Sequence, residues 1–220
     1  MSFQYDAMKK WLGLIFTAIL VFAFVFLVGT KPAEEVKVDT EPVNYKQWGS
    51  PPEMKIDIAK QYWAIIDTAK GTIKAELLAK DTPQTVNNFV FLAREHFYDG
   101  VQFHRIIKDF MVQTGDPKGD GTGGPGYEFA DEKVTRDYKR GTLAMANSGP
   151  NTNGSQFFFM HQDYNLPKQY TIFGQIDLTD AESLKTLDAI AETPVEAGAG
   201  GENSKPKEIV AIKSVTIEEK

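Results

Sequence analysis

Between Tyr62 and Glu219 the chain breaks into short runs of strand character, and only two stretches carry a helical period. That order constrains the fold most. YWAIIDT (62–68) and TIKAELLA (72–79) read as strands joined at Ala69-Lys70-Gly71. FHRIIKDFMVQTGD (103–116) gives strand, turn at Lys108-Asp109, and strand; LAMANS (143–148), QFFFMHQ (156–162), TIFGQI (171–176) and EIVAIKSVTIEE (208–219) give four more. One helix is predicted after Thr82 as N-cap and Pro83 in the first turn. Its apolar face is Val86, Phe89, Val90, Ala93 and Phe97, and Asp99-Gly100 stops it. The other is AESLKTLDAIAET (181–193), before a glycine-rich loop at 198–201. Many short strands with one helix early and one late favour a mainly β, largely antiparallel barrel or sandwich plugged by two helices, and exclude repeated βαβ units.

The N-terminus imposes a second constraint. Trp11–Thr30 is an uncharged run between Lys10 and Lys31. As a helix it would span about 30 Å, the thickness of a bilayer's hydrocarbon core. A cleaved signal peptide is the rival, but its apolar region is usually about 7–15 residues and ends in a small-residue site; FLVGTKPAEE is a poor one. The expected organisation is a cytoplasmic N-terminus (1–10), a transmembrane signal anchor (11–30), a linker (31–58) with Pro32, Pro42, Pro51 and Pro52, and a folded domain (59–220). Lys9 and Lys10 before the run place the domain on the extracytoplasmic side of a single-pass cell-membrane protein; the alternative is secretion after cleavage.

Composition removes several chemistries. The net charge is −6 with no basic patch, so nucleic acid is not an expected partner. With no cysteine, thiolate catalysis, disulfides and cysteine-ligated zinc are excluded. GDPKGDGTGGPG (115–126) lacks the lysine of a phosphate-cradling loop, and aligned as a calcium loop it puts Lys118 and Tyr127 at ligand positions, so a plain tight loop is expected. His96, His104 and His161 are dispersed, which argues against a metal site; His104 is read as a hydrogen-bonded core residue. No serine-hydrolase elbow is present.

What remains is a centre dense in aromatic and amide residues. MANSGPNTNGSQFFF (145–159) sets Asn147, Asn151, Asn153 and Gln156 beside three phenylalanines. Side chains alternate along a strand, so Phe158 is expected to face opposite to Phe157 and Phe159. Asn153-Gly154-Ser155 forms a glycosylation sequon inside this segment. Arg105, set among Phe103, Ile106 and Ile107, is anomalous, because a guanidinium is rarely buried unpaired. From the residues alone it is either half of a structural ion pair with a carboxylate or a cation aimed into a groove.

FHRIIKDFMVQTGD, GTGG (121–124), LAMANSGPNTNGSQFFF and YTIFGQI (170–176) resemble the signature segments of cyclophilin-type peptidyl-prolyl cis-trans isomerases, in family order, over roughly residues 60–218. The resemblance implies a closed eight-stranded antiparallel barrel capped by two helices. It also implies cofactor-free rotation of Xaa-Pro bonds in peptides and unfolded protein segments. It makes Arg105 the catalytic residue and Phe110, Met111, Phe158 and Leu166 the walls of a proline pocket. Gln113, Ala146, Asn147 and Gln156 then hold the substrate backbone, with Gln113 orienting Arg105, and Tyr170 stands where many members have histidine. Asn165, after Tyr164, occupies the place of a frequent tryptophan, so weak binding of cyclosporin is expected.

Overall fold

The computed structural model describes residues 45–220. In chain order the elements are β1 (Tyr62–Thr68), β2 (Gly71–Leu77), α1 (Pro83–Arg94), β3 (Arg105–Ile107), β4 (Met111–Thr114), β5 (Thr142–Met145), β6 (Phe157–Met160), β7 (Ile172–Ile176), α2 (Ala181–Ala191), β8 (Val195–Ala197), β9 (Asn203–Pro206) and β10 (Ile212–Glu219). Eight strands form one curled sheet in the order β10-β1-β2-β7-β5-β6-β4-β3, and β8 and β9 form a separate hairpin. Every pairing in the large sheet is antiparallel.

The sheet is not a closed barrel, contrary to expectation: β3 and β10 are its edges. The seam is spanned by one bridge, Gln102 to Ala211, and by the Gly100 and Phe103 amides donating to Ile212 O and Val210 O, both at 2.8 Å. The reason is local. The residues that reach the β10 side lie upstream of β3, and β3 is three residues long, paired with β4 and packed by β9. No helix among the described residues is long and apolar enough to cross a membrane. The expected cytoplasmic segment 1–10 and anchor 11–30 lie outside the described residues.

Period-two patterning builds the inner core. Tyr62, Ala64 and Ile66 of β1 and Ile73, Ala75 and Leu77 of β2 point inward and are buried. Val86, Phe89, Val90 and Ala93 of α1 meet Phe157, Phe159 and Phe173 from the sheet. Phe89 lies edge-on to Phe157 at 5.4 Å between ring centroids. Leu187 and Ile190 of α2 close the same core. Gly71, at φ +138°, lets α2 approach the β1–β2 turn, because a Cβ there would come within 2.5 Å of the Thr186 hydroxyl.

Both helix ends differ from the sequence reading of α1. Thr82 occupies the N-cap position, but its hydroxyl turns to Ile172 O (3.3 Å). The cap is tertiary: the Glu132 carboxylate accepts from the Gln84 and Thr85 amides at 3.0 and 2.8 Å. The helix stops at Arg94, before Phe97, where His96 takes a left-handed φ of +58°. Phe97 still enters the core from the following turn.

Part of the expected linker belongs to this folded unit. Trp48 packs against Phe91 and Phe97 at 5.0 and 5.9 Å, and its amide donates to Pro125 O. Asn87 accepts from the Lys55 amide at 2.8 Å, and Ile56 is buried in the core. The described part of 31–58 is therefore a strap on the domain, and packing begins upstream of residue 59.

Candidate active site

Strand register aligns the site. In an antiparallel sheet, directly paired residues project from the same face. Arg105 pairs with Gln113, Gln113 with Phe158, Phe158 with Ala144, and Ala144 with Ile172. These residues therefore form one row across four strand boundaries, on the face opposite the inner core. Phe158 projects away from Phe157 and Phe159, as alternation requires, and packs with Met111, Met160 and Ile172 in a second apolar cluster.

That cluster floors a cavity of about 230 Å³. Met111 and Phe158 form the floor, Phe110, Leu166 and Tyr170 the apolar walls, and Arg105, Gln113, Ala146 and Asn147 the polar edge. Phe158 and Tyr170 meet edge-on at 5.6 Å. Nine of the ten expected site residues line this one cavity. The tenth, Gln156, stands behind Gln113. It accepts from Gln113 Nε2 at 3.0 Å, and its own Nε2 donates to the Gly121 and Gly123 carbonyls at 3.0 and 2.9 Å. This relay turns the Gln113 oxygen toward Arg105. Gln156 also lines a larger polar groove adjoining the cavity, whose far wall includes Tyr45 and Gln47 of the strap.

The supports are polar and local. Asp116 is buried and gathers the glycine loop by accepting from the Lys118, Asp120 and Gly121 amides. Gly115, at φ +84°, lets that loop leave β4 close to Ser155 O, which would stand 2.2 Å from a Cβ. Asn147 donates to Gln169 O at 2.8 Å. The Tyr138 hydroxyl lies 2.9 Å from Tyr170 O and accepts from the Tyr170 amide at 3.1 Å, holding the 166–170 wall. Burial raises the Tyr138 pKa above its ordinary value, which keeps the hydroxyl protonated. Asn153, the sequon residue, is fully buried and donates to Phe129 O and Asp131, so it offers no folded glycosylation site. Among the described residues no cluster of three or more His, Cys, Asp or Glu could hold a metal ion.

Two expectations are corrected. His104 has both ring nitrogens shielded and without a hydrogen-bond partner among the described residues, and burial lowers its pKa, favouring the neutral ring. More consequentially, Arg105 is held chiefly by Glu202, just before β9, and only weakly by Gln113. Its Nε and Nη2 donate to the two carboxylate oxygens at 2.7 and 2.9 Å. Nη1 lies 3.5 Å from Gln113 Oε1 and 3.8 Å from Met111 Sδ. The two residue-level alternatives for Arg105 thus coexist: it is ion-paired, and it lines the cavity. Tyr164, whose ring packs at a tilt against Phe110 with centroids 4.6 Å apart beside the cavity wall, was also missed as a site neighbour.

Residues 63–217 match the family described as cyclophilin type peptidyl-prolyl cis-trans isomerase/CLD. A protein named probable peptidyl-prolyl cis-trans isomerase B from Mycobacterium tuberculosis is 47% identical over 167 residues, covering 69% of this chain and 53% of that relative. The chain thus spans about half the length of this mycobacterial relative. Peptidyl-prolyl cis-trans isomerase B of Streptomyces anulatus is 42% identical over 182 residues, covering 73% of this chain and 99% of that one. A crystal structure of a Cryptosporidium parvum cyclophilin type isomerase in the presence of the dipeptide Ala-Pro superimposes with a TM-score of 0.63 at 34% identity, covering 71% of this chain and 98% of that one. The chain belongs to the cyclophilin-type peptidyl-prolyl cis-trans isomerase family.

Proposed function

We propose that this chain is a peptidyl-prolyl cis-trans isomerase acting on Xaa-Pro bonds of peptides and unfolded protein segments without a cofactor. The carrying observation is the row Arg105–Gln113–Phe158, which puts a cation at the edge of a cavity floored by Met111 and Phe158 and roomy enough to admit a pyrrolidine ring. The C. parvum structure obtained with Ala-Pro supports a proline-containing ligand by family analogy.

Amide rotation faces a barrier of about 18–20 kcal/mol because the C–N bond has partial double-bond character. The two Xaa-Pro isomers differ by only about 0.5–1 kcal/mol, so the obstacle is kinetic. A catalyst must bind the twisted amide better than either planar form. Twisting returns a lone pair to the prolyl nitrogen, and the Nη1 edge of Arg105 supplies a charged donor to it. The same contact is worth less to a planar amide, whose nitrogen lone pair is delocalised. Phe110, Met111, Phe158 and Leu166 hold the ring while the chain before it turns. Gln113, Ala146 and Asn147 fix that chain by hydrogen bonds, Gln156 supports them from behind by holding Gln113, and Tyr170 closes the wall beside Phe158. A water-poor pocket strengthens the electrostatic term.

A non-catalytic proline-binding module or holdase is the second reading, favoured by one observation: the guanidinium already has a carboxylate partner. Exchange measurements on an Xaa-Pro peptide with the full chain separate the two, since binding without acceleration identifies the module. Attachment to the cell membrane through 11–30, with the domain extracytoplasmic and acting on exported proteins, is proposed from the uncharged run and its flanking lysines. Protease protection of the domain in intact cells tests that side; a domain sheltered in the cytoplasm refutes it. Weak cyclosporin binding is proposed from Asn165 in the tryptophan place.

A further inference from the structure

We infer that Glu202 is a positioning residue for the reaction, acting through Arg105 by fixing the plane of its guanidinium so that Nη1 faces the cavity. The inference rests on the isomerase reading of Arg105.

A guanidinium carries five N–H donors in a planar fork on a flexible stem. Which edge it presents is decided by what occupies the others. Glu202 takes the Nε–Nη2 edge with both oxygens, at 2.7 and 2.9 Å, a bidentate geometry that fixes both direction and plane. Nη1 is left beside two residues of the cavity lining, Met111 Sδ at 3.8 Å and Gln113 Oε1 at 3.5 Å, both weak partners. The strongly held edge is taken by the carboxylate, and the weakly held edge adjoins the cavity lining.

The carboxylate is itself delivered by design of the backbone. The β8–β9 hairpin packs its second strand against β3, the strand that carries Arg105. Gly200 and Gly201 take φ of +76° and +83°, and the Gly198 amide donates to Glu202 O at 2.7 Å, turning the tip back to present the side chain. Both partners are partly exposed, with 35% and 43% of their side-chain surfaces accessible, so the pair adds little to stability. Its effect falls on orientation. A donor already aimed when the amide twists needs no ordering in the transition state. Arg105 also holds the Glu202 carboxyl below the usual range, so the partner stays charged at neutral pH.

The test compares Glu202→Gln, Glu202→Asp, Arg105→Ala and the unaltered full chain on one Xaa-Pro peptide, with kcat and KM separated by exchange measurements at varied peptide concentration. Glu202→Gln is expected to lower kcat about tenfold with KM changed less than about twofold, and Glu202→Asp to fall between. In the unaltered chain the Arg105 Nε–H proton is expected to give a sharp, slowly exchanging resonance. A kcat for Glu202→Gln equal to or above that of the unaltered chain overturns the inference, as does a change in KM alone. A fast-exchanging Nε–H signal in the unaltered chain does the same without relying on any variant. If Arg105→Ala abolishes turnover while Glu202→Gln leaves it intact, positioning alone fails; if Arg105→Ala keeps turnover, the underlying reading of Arg105 fails with it.

Discussion

Phe157 and Phe158 are neighbours of the same type, on the same strand, both buried, yet they belong to different parts of the molecule. Phe157 faces inward, ringed by Phe89, Tyr98 and Phe173 at centroid separations of 5.4, 5.5 and 6.0 Å. Phe158 faces outward, with Tyr170 on one side and a cavity above it. The inner face is filled, so its residues answer to packing. The outer face is left incomplete, so its residues answer to whatever completes it. One period of two in the strand separates stability from chemistry.

The sharpest way to break this division is to truncate each side. Phe157→Ala is expected to lose about 3–5 kcal/mol of stability, read by thermal or urea unfolding, while the folded fraction keeps its turnover per molecule. Arg105→Ala, on the outer face, is expected to lower kcat/KM about a hundredfold or more, equivalent to about 2.7 kcal/mol, with little change in melting temperature. Turnover that persists while the domain unfolds would show the assignments reversed. Tyr138→Phe removes the hydroxyl that ties Tyr170 and is expected to cost about 1 kcal/mol, with a raised KM from a looser outer wall.

The smallest effect is titratable. Asp180 caps α2 by accepting from the Ser183 amide and hydroxyl, and these bonds lower its pKa from 3.8. A carboxyl depressed in the folded state contributes stability above its unfolded value and loses it as pH falls through the folded one. Asp180→Ala should therefore destabilise by about 1 kcal/mol at neutral pH, and the gap to the unaltered chain should close on acidification below the carboxylate range. Because α2 covers the inner core, turnover at pH 7 should not change.

What the sequence made legible follows the reach of its signals. Alternation placed Phe158 opposite its neighbours, and the family-like segments brought Arg105, Phe110, Met111 and Asn147 to one cavity although they come from two separate stretches. Contacts made across long separations in unpatterned loops left no trace. Glu202 lies 97 residues from Arg105, in a glycine-rich turn whose composition announces only flexibility. Glu132 caps α1 from 47 residues away, where Thr82 offered a local candidate. The open seam escaped for a similar reason: FHRII reads as strand, but only its last three residues pair with β4.

The strap has a practical consequence for how the domain is handled. Cutting the chain at residue 59 would remove Trp48 and Ile56, bare the flanks of Phe91 and Phe97, and free Asn87 of its backbone partner. Such a fragment would carry a sticky patch that the intact chain covers, and any clumping or lowered melting point it showed would be an artefact of the boundary. A cut placed ahead of Tyr45 keeps the clasp shut and leaves the wall that Tyr45 and Gln47 lend to the polar groove.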